Sequence, residues 1–481
     1  MQSNDVPFQT QYDESVGKFA VAKNDLQQGD LIFSESAFAF GPKSGSPPLC
    51  LGCYVPVDCS VRCSLCNWPV CSSNCETTSA HKNAECVIFT KARVNFQSIT
   101  NITETCLQYE CVTPLRVLLA MLDNTKRWNE EVKDMEAHNL KRRNEFVWKF
   151  NQINIVNYIR GPCRLQNFSE DLIHTVCGIL ECNAFEARSK SGYPIRCLFP
   201  QLAILSHNCV PNIVHTITEV DTDCFGVVVR AAVDVKKGDE LFSSYTYVLW
   251  PSIIRRQYLK DSKYFNCTCI RCADSTEMGT HMSSLICDKC NIGILSPSAP
   301  LDDGDWKCGK CENFITNVDV KNLFETIQNE IDAANGSTLE ELLQKYIGIL
   351  HPHNSYIISI KLMLIPVYRH TDSFKSIQFC KDVLHVLNVI QPGCTRIRGT
   401  TLYELYLSTI TLACTLEEQD ERLTGELKKA LKILNECILI LKYEPESTLE
   451  GKIYVAALKQ MNNLERYFEN ITDRRDVLIN Q

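Results

Sequence analysis

The sequence has no long apolar segment. No run of about 18 or more apolar residues occurs, so a transmembrane helix is not expected. The N-terminal stretch MQSNDVPFQTQYDESVGK contains no apolar core, which argues against a signal peptide. These two absences predict a protein of the cytoplasm and nucleus that does not associate with membranes.

The sequence also has no surplus of basic residues. Lys and Arg together number 49, whereas Asp and Glu number 57, which gives a net charge of −8 at pH 7. This balance argues against a protein that binds nucleic acid or anionic membranes over its whole surface. The hydrophobic share of 45% is that of an ordinary soluble protein, and 481 residues are enough for about three domains.

Cysteine, by contrast, is abundant, with 27 residues. In a reducing compartment such cysteines are more often metal ligands than disulfide partners. Residues 50–86 hold eight of them, and short spacings of this kind let two ligands from one turn reach a tetrahedral Zn²⁺. Cys59 falls outside the pairing and is interpreted as a bystander, and a loop of free thiols is the alternative. The ligand pairs are Cys50-x2-Cys53, Cys63-x2-Cys66, Cys71-x3-Cys75 and His81-x4-Cys86, which together suit two ions.

Two further cysteine groups follow near the middle of the chain. Cys267-x-Cys269-x2-Cys272 offers three ligands and needs a fourth from elsewhere. Cys287-x2-Cys290-x17-Cys308-x2-Cys311 is a complete four-cysteine ribbon, for which a structural role is expected. Most of the other cysteines are predicted to be buried as small apolar side chains, namely Cys106, Cys111, Cys163, Cys177, Cys182, Cys197, Cys224, Cys380, Cys394, Cys414 and Cys437.

Two short strand-and-turn patterns lie about 200 residues apart. GKFAVAKNDLQQGDLIFSESAFAF turns at Gln28-Gly29-Asp30, and CFGVVVRAAVDVKKGDELFSSY turns at Lys237-Gly238-Asp239. Their similarity predicts one β domain interrupted by insertions, and two unrelated hairpins are the alternative.

Helical periodicity fills two other regions. Residues 91–180 are predicted to be helical, because PLRVLLAMLDNT has apolar residues three and four apart and EEVKDMEAHNLKRRNEFVWKFNQI continues that period. Within the second stretch, Lys141-Arg142-Arg143 is interpreted as a solvated helix face rather than a binding patch. From about residue 316 onward, EELLQKYIGIL, YELYLSTITLACTL and ELKKALKILNECILIL predict successive amphipathic helices, with a weak signature of tetratricopeptide-like hairpins.

Residues 200–212, PQLAILSHNCVPN, resemble a motif of the SET domain family that reads Asn-His-Ser-Cys-x-Pro-Asn and stands here as residues 206–212. The cysteine-rich segment before it resembles a MYND zinc finger. Together they resemble the SET-and-MYND (SMYD) lysine methyltransferases over residues 10–320, in particular a divergent arthropod-type branch. The resemblance implies an α+β fold, in which a SET-type β domain is interrupted by a MYND zinc finger and a helical insertion. A zinc-rich post-SET region and an all-α TPR-like C-terminal domain follow.

The resemblance also implies domain boundaries and ligand sets. The expected domains are 10–45 (N-terminal SET part), 46–90 (MYND), 91–175 (helical insertion), 176–250 (core SET), 251–315 (post-SET and ribbon) and 316–481 (C-terminal helices). In the family the MYND pairs interleave, which groups Cys50, Cys53, Cys71 and Cys75 on one ion and Cys63, Cys66, His81 and Cys86 on another. Cys209 would complete the set of Cys267, Cys269 and Cys272. With the ribbon, four Zn²⁺ per chain are expected. The family usually has three residues between the last His and Cys, whereas this chain has four.

The activity implied by the resemblance is an S-adenosylmethionine-dependent protein-lysine N-methyltransferase that acts on histone or non-histone proteins and takes part in transcription regulation. Tyr245 would be the catalytic tyrosine, with Phe185 and Tyr247 in the substrate lysine channel. The cofactor would contact Gly17, Lys18, His138, Asn183, Ser206, His207 and Phe265.

Two departures from the family pattern favour an alternative function. The second glycine of the usual Gly-x-Gly is Phe19, and the usual Asn is Ser206. Each change would weaken cofactor binding, and the loss of one good polar contact costs about 1 kcal/mol. The alternative is a catalytically weak adaptor that binds proline-rich peptides through its MYND finger and partners through its helical domain. A monomer is expected. Sequence-specific DNA binding is not, because Lys82 is the only Lys or Arg in residues 67–86.

Overall fold

The computed structural model describes residues 6–14, 16–99, 101–221, 224–417 and 420–479, and the side chains as far as residue 468 except those at 221 and 421. The chain divides into two compact units. The first comprises the described residues up to Ala20, Leu31–Leu205 and His215–Val229. The second comprises Val21–Asp30, Ser206–Val214 and the described residues from Arg230 onward. Neither unit is a continuous stretch of chain.

The strands are short and fall into five sheets. The three-stranded sheets have the orders β3-β9-β8 and β4-β6-β5, the pairs are β1-β2 and β7-β10, and the fifth is the antiparallel meander β11-β12-β13-β14. The strands are β1 (Phe8–Asp13), β2 (Gly17–Ala22), β3 (Leu31–Ser36), β4 (Ala39–Pro42), β5 (Ala184–Arg188), β6 (Pro194–Leu198), β7 (Ser206–His207), β8 (Ile213–Asp221), β9 (Cys224–Ala231), β10 (Phe242–Ser243), β11 (Leu285–Ile286), β12 (Ile294–Pro297), β13 (Trp306–Cys308) and β14 (Phe314–Ile315).

Helices form the rest of the regular structure. They are α1 (Ser73–Glu76), α2 (Ser79–Lys82), α3 (Glu85–Ala92), α4 (Val112–Asp123), α5 (Thr125–Arg127), α6 (Asn139–Arg142), α7 (Phe146–Asn151), α8 (Asn157–Arg160), α9 (Glu170–Asn183), α10 (Ser252–Lys263), α11 (Ile270–Ala273), α12 (Asn317–Ala333), α13 (Thr338–Tyr346), α14 (Ser355–Thr371), α15 (Ser373–Ile390), α16 (Arg396–Ala413), α17 (Glu421–Leu441) and α18 (Leu449–Ile479). No helix in the described ranges is long and apolar enough to cross a membrane.

The two strand-and-turn patterns belong to one β domain, as the sequence predicts. Strand β3 of the first pattern lies beside β9 of the second in one sheet. In the second unit, Leu26 and Val235 exchange backbone hydrogen bonds of 2.8 and 2.9 Å, and the Ala22 N–H donates to Asp239 O at 2.9 Å. The fold therefore joins segments that are about 200 residues apart in the chain.

The helical structure predicted over EEVKDMEAHNLKRRNEFVWKFNQI is interrupted. Helical structure stops after the π-helical turn Trp128–Val132, and the chain resumes only with the short α6 and α7. The break lies where the backbone crosses helix α9 closely, because a Cβ on Gly178 would meet the carbonyl oxygen of Ala137 at 2.3 Å. His138 takes a left-handed φ of 48° at this point, which ends any continuous helix.

The basic run after this break is not wholly solvated either, which corrects the interpretation of Arg142. Its side chain is fully buried, with Nε donating to Glu181 at 2.7 Å and a terminal nitrogen to His174 O at 3.2 Å. Lys141 and Arg143 are exposed as expected.

The C-terminal helices confirm the predicted helical region. Consecutive helices from α14 to α18 pack on one another, and α16 contacts α14 and α18 as well. Buried residues of α14 to α17 form a core that extends to Trp306 of the four-stranded ribbon sheet, and α16, α17 and α18 form a second apolar cluster. Nine of the twelve cysteines outside the ligand groups are buried, whereas Cys182 and Cys224 are half-buried and Cys414 is exposed.

Candidate active site and metal centres

Sixteen side chains converge in four groups of four. In each group the ligand atoms all lie within 4.8 Å of one another, so each group could hold one metal ion. The groups contain every residue that the sequence proposes as a ligand, and His81 joins its set despite the longer spacing to Cys86. They are Cys50, Cys53, Cys71 and Cys75; Cys63, Cys66, His81 and Cys86; Cys209, Cys267, Cys269 and Cys272; and Cys287, Cys290, Cys308 and Cys311.

The distances within the groups fit shared coordination and not disulfide bonds. All 27 cysteines are free. The Sγ atoms of Cys53 and Cys71 lie 3.5 Å apart, and those of Cys290 and Cys308 lie 3.8 Å apart. Two thiolates on one tetrahedral Zn²⁺ lie about 3.8 Å apart, because each sulfur is about 2.3 Å from the ion. The donor sets therefore fit zinc in both number and spacing.

The segment that carries Ser206 and His207 is fixed by backbone pairing within the second unit. Strand β7 pairs in parallel with β10, so that Ser206 lies opposite Phe242 and His207 opposite Ser243. The Asn212 side chain closes the loop, since Nδ2 donates to Glu240 O at 2.8 Å and Oδ1 accepts from the Phe242 N–H at 2.7 Å. This arrangement places the residues after β10 beside the residues of β7.

His207 connects the third metal group to Tyr245. Its Nδ1 accepts the Tyr245 backbone N–H at 2.9 Å, which leaves the proton on Nε2. Nε2 lies 3.3 Å from the Cys209 sulfur and can donate to it. The His207 ring also lies 5.3 Å from the Tyr245 ring and 6.0 Å from the Phe265 ring, measured between centroids. The structure thus brings together four of the residues proposed for catalysis and cofactor binding, Ser206, His207, Tyr245 and Phe265.

The Tyr245 phenol is held in its neutral form. Burial raises its pKa well above the usual value, and the charge of Glu240 adds to that effect. The ring packs against the cluster formed by Leu259 and the third metal group. The Lys263 ammonium lies 5.8 Å from its centroid. At neutral pH the hydroxyl is therefore a hydrogen-bond donor and not a phenolate.

Three buried hydroxyl oxygens beside Tyr245 lack hydrogen-bond partners within the described part of the chain. They belong to Ser206, Ser243 and Thr246. A buried hydroxyl without a partner costs free energy, so such groups usually face a ligand or water. The Ser206 oxygen in particular could accept or donate a bond to a bound molecule. The proposed channel residue Tyr247, in contrast, is 49% exposed and packs edge-on against Trp250.

The remaining candidates lie in the first unit, where His138 and Asn183 meet through one short loop. The Asn183 Nδ2 donates to Glu136 O at 2.9 Å and to Ile179 O at 3.1 Å, which fixes the orientation of the amide. The His138 N–H donates to the Glu136 carboxylate at 2.7 Å, and burial lowers the pKa of the His138 imidazole. An open cavity of about 500 Å³ is lined by residues 134–141 of the same loop.

Strand β2 supplies the glycine candidate. Gly17 has a φ of +83°, and nothing lies within 4 Å of the position that a Cβ would take. A backbone that is open on this side can be approached closely by a ligand. Lys18 is exposed and Phe19 is half-buried. Phe185 lies on β5, with its ring 5.8 Å from His215 and 6.5 Å from Phe199.

Comparison with known proteins agrees with this arrangement. The SET domain family model matches residues 17–246. The SET domain-containing protein SmydA-8, isoform A, of Drosophila melanogaster is 29% identical over 374 residues, which is 74% of this chain and 76% of that protein. The chain is therefore similar to SMYD proteins over 74% of its length. N-lysine methyltransferase SMYD2-A of Danio rerio is 24% identical, with 54% of this chain and 59% of that protein covered. N-lysine methyltransferase SMYD2 of Homo sapiens is also 24% identical, with coverage of 53% and 58%.

The sequence does not reveal how the chain orients its finger histidine. The Glu85 carboxylate lies 2.7 Å from His81 Nδ1 and accepts two bonds of 2.7 Å from Arg116. Nε2 of His81 faces the metal group, 3.6 Å from the Cys66 sulfur. Although burial opposes ionisation of Glu85, the charges of Arg116 and His81 lower its pKa. A carboxylate in this position fixes the tautomer of a metal-binding imidazole. The signal for Glu85 is its place four residues after His81.

A second buried network surrounds the third metal group, that of Cys209, Cys267, Cys269 and Cys272. Arg255 of α10 donates to the Cys209 sulfur at 3.3 Å and to the Glu277 carboxylate at 2.8 Å. Arg271 donates to the same carboxylate and to Val248 O, each within 2.9 Å. Both arginines are fully buried. Four thiolates and one Zn²⁺ carry a charge of about −2, which the arginines offset. No sequence pattern marks these arginines as buried.

Proposed function

We propose that this chain is an S-adenosylmethionine-dependent protein-lysine N-methyltransferase. The observation that carries the proposal is the half-buried, neutral Tyr245, whose backbone is fixed by His207 beside the unpartnered hydroxyl of Ser206. The SET match and the two N-lysine methyltransferase relatives support the same activity.

Local features of each unit, taken separately, suit an adenosyl sulfonium ligand. In the first unit, Gly17 is open to close approach, and the amide of Asn183 has both its donor bonds satisfied by carbonyls, so that its oxygen remains the acceptor. In the second unit, the Ser206 hydroxyl has no hydrogen-bond partner among the described residues, and the Phe265 ring offers an aromatic face for an adenine. Lys18, His138 and His207 complete the proposed set.

The residues of the chain would act by positioning and by desolvation. The cofactor, when bound, supplies an electrophilic methyl group on a sulfonium sulfur. The nucleophile is the neutral amine of a substrate lysine, and apolar walls favour that form because burial disfavours the ammonium ion. Tyr245, as a fixed neutral hydroxyl, would orient the reacting groups without bringing a competing negative charge. Phe185 and Tyr247 are the proposed channel walls.

The finer parts of the proposal concern metal, substrates, partners and location. We place Zn²⁺ in each of the four ligand groups, because thiolate and imidazole sets of this spacing suit zinc. We further propose histone or non-histone proteins as substrates, a role in transcription regulation, and a cytoplasmic and nuclear location. The MYND finger would bind proline-rich peptides, and the chain would act as a monomer without sequence-specific DNA binding. The six expected domain boundaries stay part of this proposal.

A calorimetric titration of the zinc-loaded chain with S-adenosylmethionine tests the cofactor site. Micromolar binding would support the proposal and would mean that Phe19 and Ser206 are tolerated. No heat of binding at millimolar cofactor would overturn it and would favour the adaptor function.

Methyl transfer from labelled cofactor to proteins of a cell extract tests the role of Tyr245. Tyr245→Phe should lose most of the transfer while it keeps its cofactor affinity, because only the hydroxyl is removed. Tyr258→Phe is the matched control, since Tyr258 packs on Trp250 at the surface. Equal transfer by Tyr245→Phe and the wild type would remove Tyr245 from the mechanism.

A further inference from the structure

Four of the ten histidines of the chain follow one another in a row outside the four cysteine-rich groups. The row consists of His281, His351, His353 and His385, all in the second unit. The ring centroids of successive members lie 4.6, 5.5 and 4.9 Å apart. We call these four residues the histidine row. The ring contacts are between successive members, so a metal ion here would be shared by a neighbouring pair.

The spacing of the pairs matches that of imidazoles that share a metal ion. A coordinating nitrogen lies about 2.1 Å from the ion, which puts the centre of its ring about 3.2 Å away. At ligand angles between 90° and 110°, two such rings have centres about 4.5–5.3 Å apart. The pair of His353 and His385, at 4.9 Å, falls within this interval. So does the pair of His281 and His351, at 4.6 Å.

The pair of His353 and His385 has ring nitrogens that are available to a metal ion. In the pair of His281 and His351, one nitrogen of each ring is already engaged. His281 Nδ1 is engaged by the Ser284 hydroxyl at 3.1 Å, and His351 Nδ1 accepts the backbone N–H of His353 at 3.2 Å. The ring nitrogens of His353 and His385 have no hydrogen-bond partner among the described residues. His353 is half-buried and His385 is exposed on α15, so an ion can enter from solvent.

The surroundings favour the neutral form of two members of the row, His351 and His353. Burial and the neighbouring rings of His281 and His353 lower the pKa of His351 to about 4. Burial likewise lowers the pKa of His353, to which His385 and the Lys361 ammonium contribute, against the opposing charge of Asp382. Neutral imidazole is the metal ligand, so these groups need not lose a proton at pH 7 to bind.

We propose that the histidine row is a fifth metal site of this chain, which takes a borderline-soft divalent cation such as Zn²⁺ through His353 and His385. Water would complete the coordination. Asp382 lies one turn before His385 on α15, and the Lys361 Nζ holds its carboxylate at 2.7 Å, so it faces the site as a charge and not as a free ligand. The all-imidazole donor set distinguishes this site from the thiolate groups and favours zinc or nickel over calcium or magnesium.

The position of the row gives the site a structural consequence. His351 and His353 lie in the loop between α13 and α14, and this loop is bonded to the segment that leads into the ribbon. The His351 N–H donates to Ser284 O at 3.2 Å, and the Asn354 side chain donates to the same oxygen at 3.0 Å. An ion on His353 and His385 would fasten this loop to helix α15.

Native mass spectrometry and calorimetry with ZnCl₂ test the proposal on the full chain already loaded with four Zn²⁺. A fifth Zn²⁺ should bind to the wild type, and about tenfold or more weaker to His353→Ala and to His385→Ala, since each variant loses one of two imidazole ligands. His370→Ala is the matched control, because His370 is exposed on α14 outside the row. It should bind the fifth ion as the wild type does. A stoichiometry that stays at four, or equal affinity in all the variants, would overturn the proposal.

A second measurement does not depend on how the variants fold. Modification of histidines in the wild type by diethylpyrocarbonate, mapped by mass spectrometry, should slow at His353 and His385 when ZnCl₂ is added. The rate at His370 should not change. Protection that is equal at all three residues, or found at none of them, would refute the assignment.

Discussion

Replacing Glu85 with glutamine tests whether this carboxylate orients the finger histidine. The substitution keeps the size of the side chain but removes its charge. Glutamine has one oxygen and one NH₂ group, whereas the site needs acceptors toward both His81 and Arg116. In either orientation of the amide, one buried donor loses its partner or faces another donor. If His81 instead carried its proton on Nε2, the nitrogen that faces Cys66 would have no lone pair with which to bind a metal ion.

The expected magnitude follows from two separate losses. A buried donor left without a partner costs about 1–3 kcal/mol of folding free energy. Loss of a carboxylate that supports a metal-binding histidine weakens metal affinity by about 10- to 100-fold. Glu85 is fully buried and Arg116 nearly so, so solvent cannot replace the missing bonds. We therefore expect the second finger group to lose its ion first, while the four-cysteine group that contains Cys50 keeps its own.

Chelator competition on the zinc-loaded chain, followed with a zinc-sensitive dye, measures this effect. One of four ions should leave Glu85→Gln at least about tenfold faster than it leaves the wild type. Glu76→Gln is the matched control, because Glu76 is a half-buried carboxylate of the same finger that bonds to Ser64 and contacts neither His81 nor Arg116 by a hydrogen bond. Identical release from Glu85→Gln and wild type would refute the orienting role.

Three further outcomes are expected. Arg255→Met should destabilise the chain by about 3–5 kcal/mol in urea unfolding, because it strands buried charge around Glu277, and a loss under 1 kcal/mol would contradict this. His174, whose pKa burial lowers to about 4, is neutral in the folded chain but protonates near pH 6.5 when unfolded. The free energy of unfolding should therefore fall as pH drops from about 6.5 to 4. His174→Phe keeps the stack on Trp148 and should show a flatter profile of thermal midpoint against pH. Parallel profiles of the variant and the wild type would contradict this. Gly178→Ala should lower the free energy of unfolding by about 1–3 kcal/mol, because the added methyl group clashes with the Ala137 carbonyl. An unchanged thermal midpoint would contradict this.

The metal groups were the most predictable part of the chain, because most of their ligand pairs lie within a few residues of each other in the sequence. A C-x2-C step places two sulfurs on one turn regardless of the rest of the fold. Resemblance to a family supplied the long-range part, namely the interleaving of the finger pairs and the addition of Cys209 to ligands more than fifty residues away. The helical periodicity of the C-terminal region was equally informative.

Features that depend on packing were not predictable from the sequence. Periodicity indicated a helix through residues 133–138, but the approach of Ala137 to Gly178 prevents it. Arg142 and Arg255 have the spacing of surface residues, and they are buried only because carboxylates and thiolates from distant segments surround them. The histidine row likewise joins residues from three separate segments. The roles of the cofactor and channel residues stay predictions, since they depend on a bound ligand.

One imidazole bonds on its two sides to a metal-site sulfur and to the backbone of Tyr245. The consequence concerns redox chemistry. Oxidation of Cys209, or loss of an ion bound there, would remove the negative sulfur that His207 faces and would release the ring to turn. Residue 245 would then lose its anchor although no atom of its own had changed. A thiol oxidant that reacts only with Cys209 would therefore release the backbone of Tyr245. A reductant together with added Zn²⁺ would restore its position.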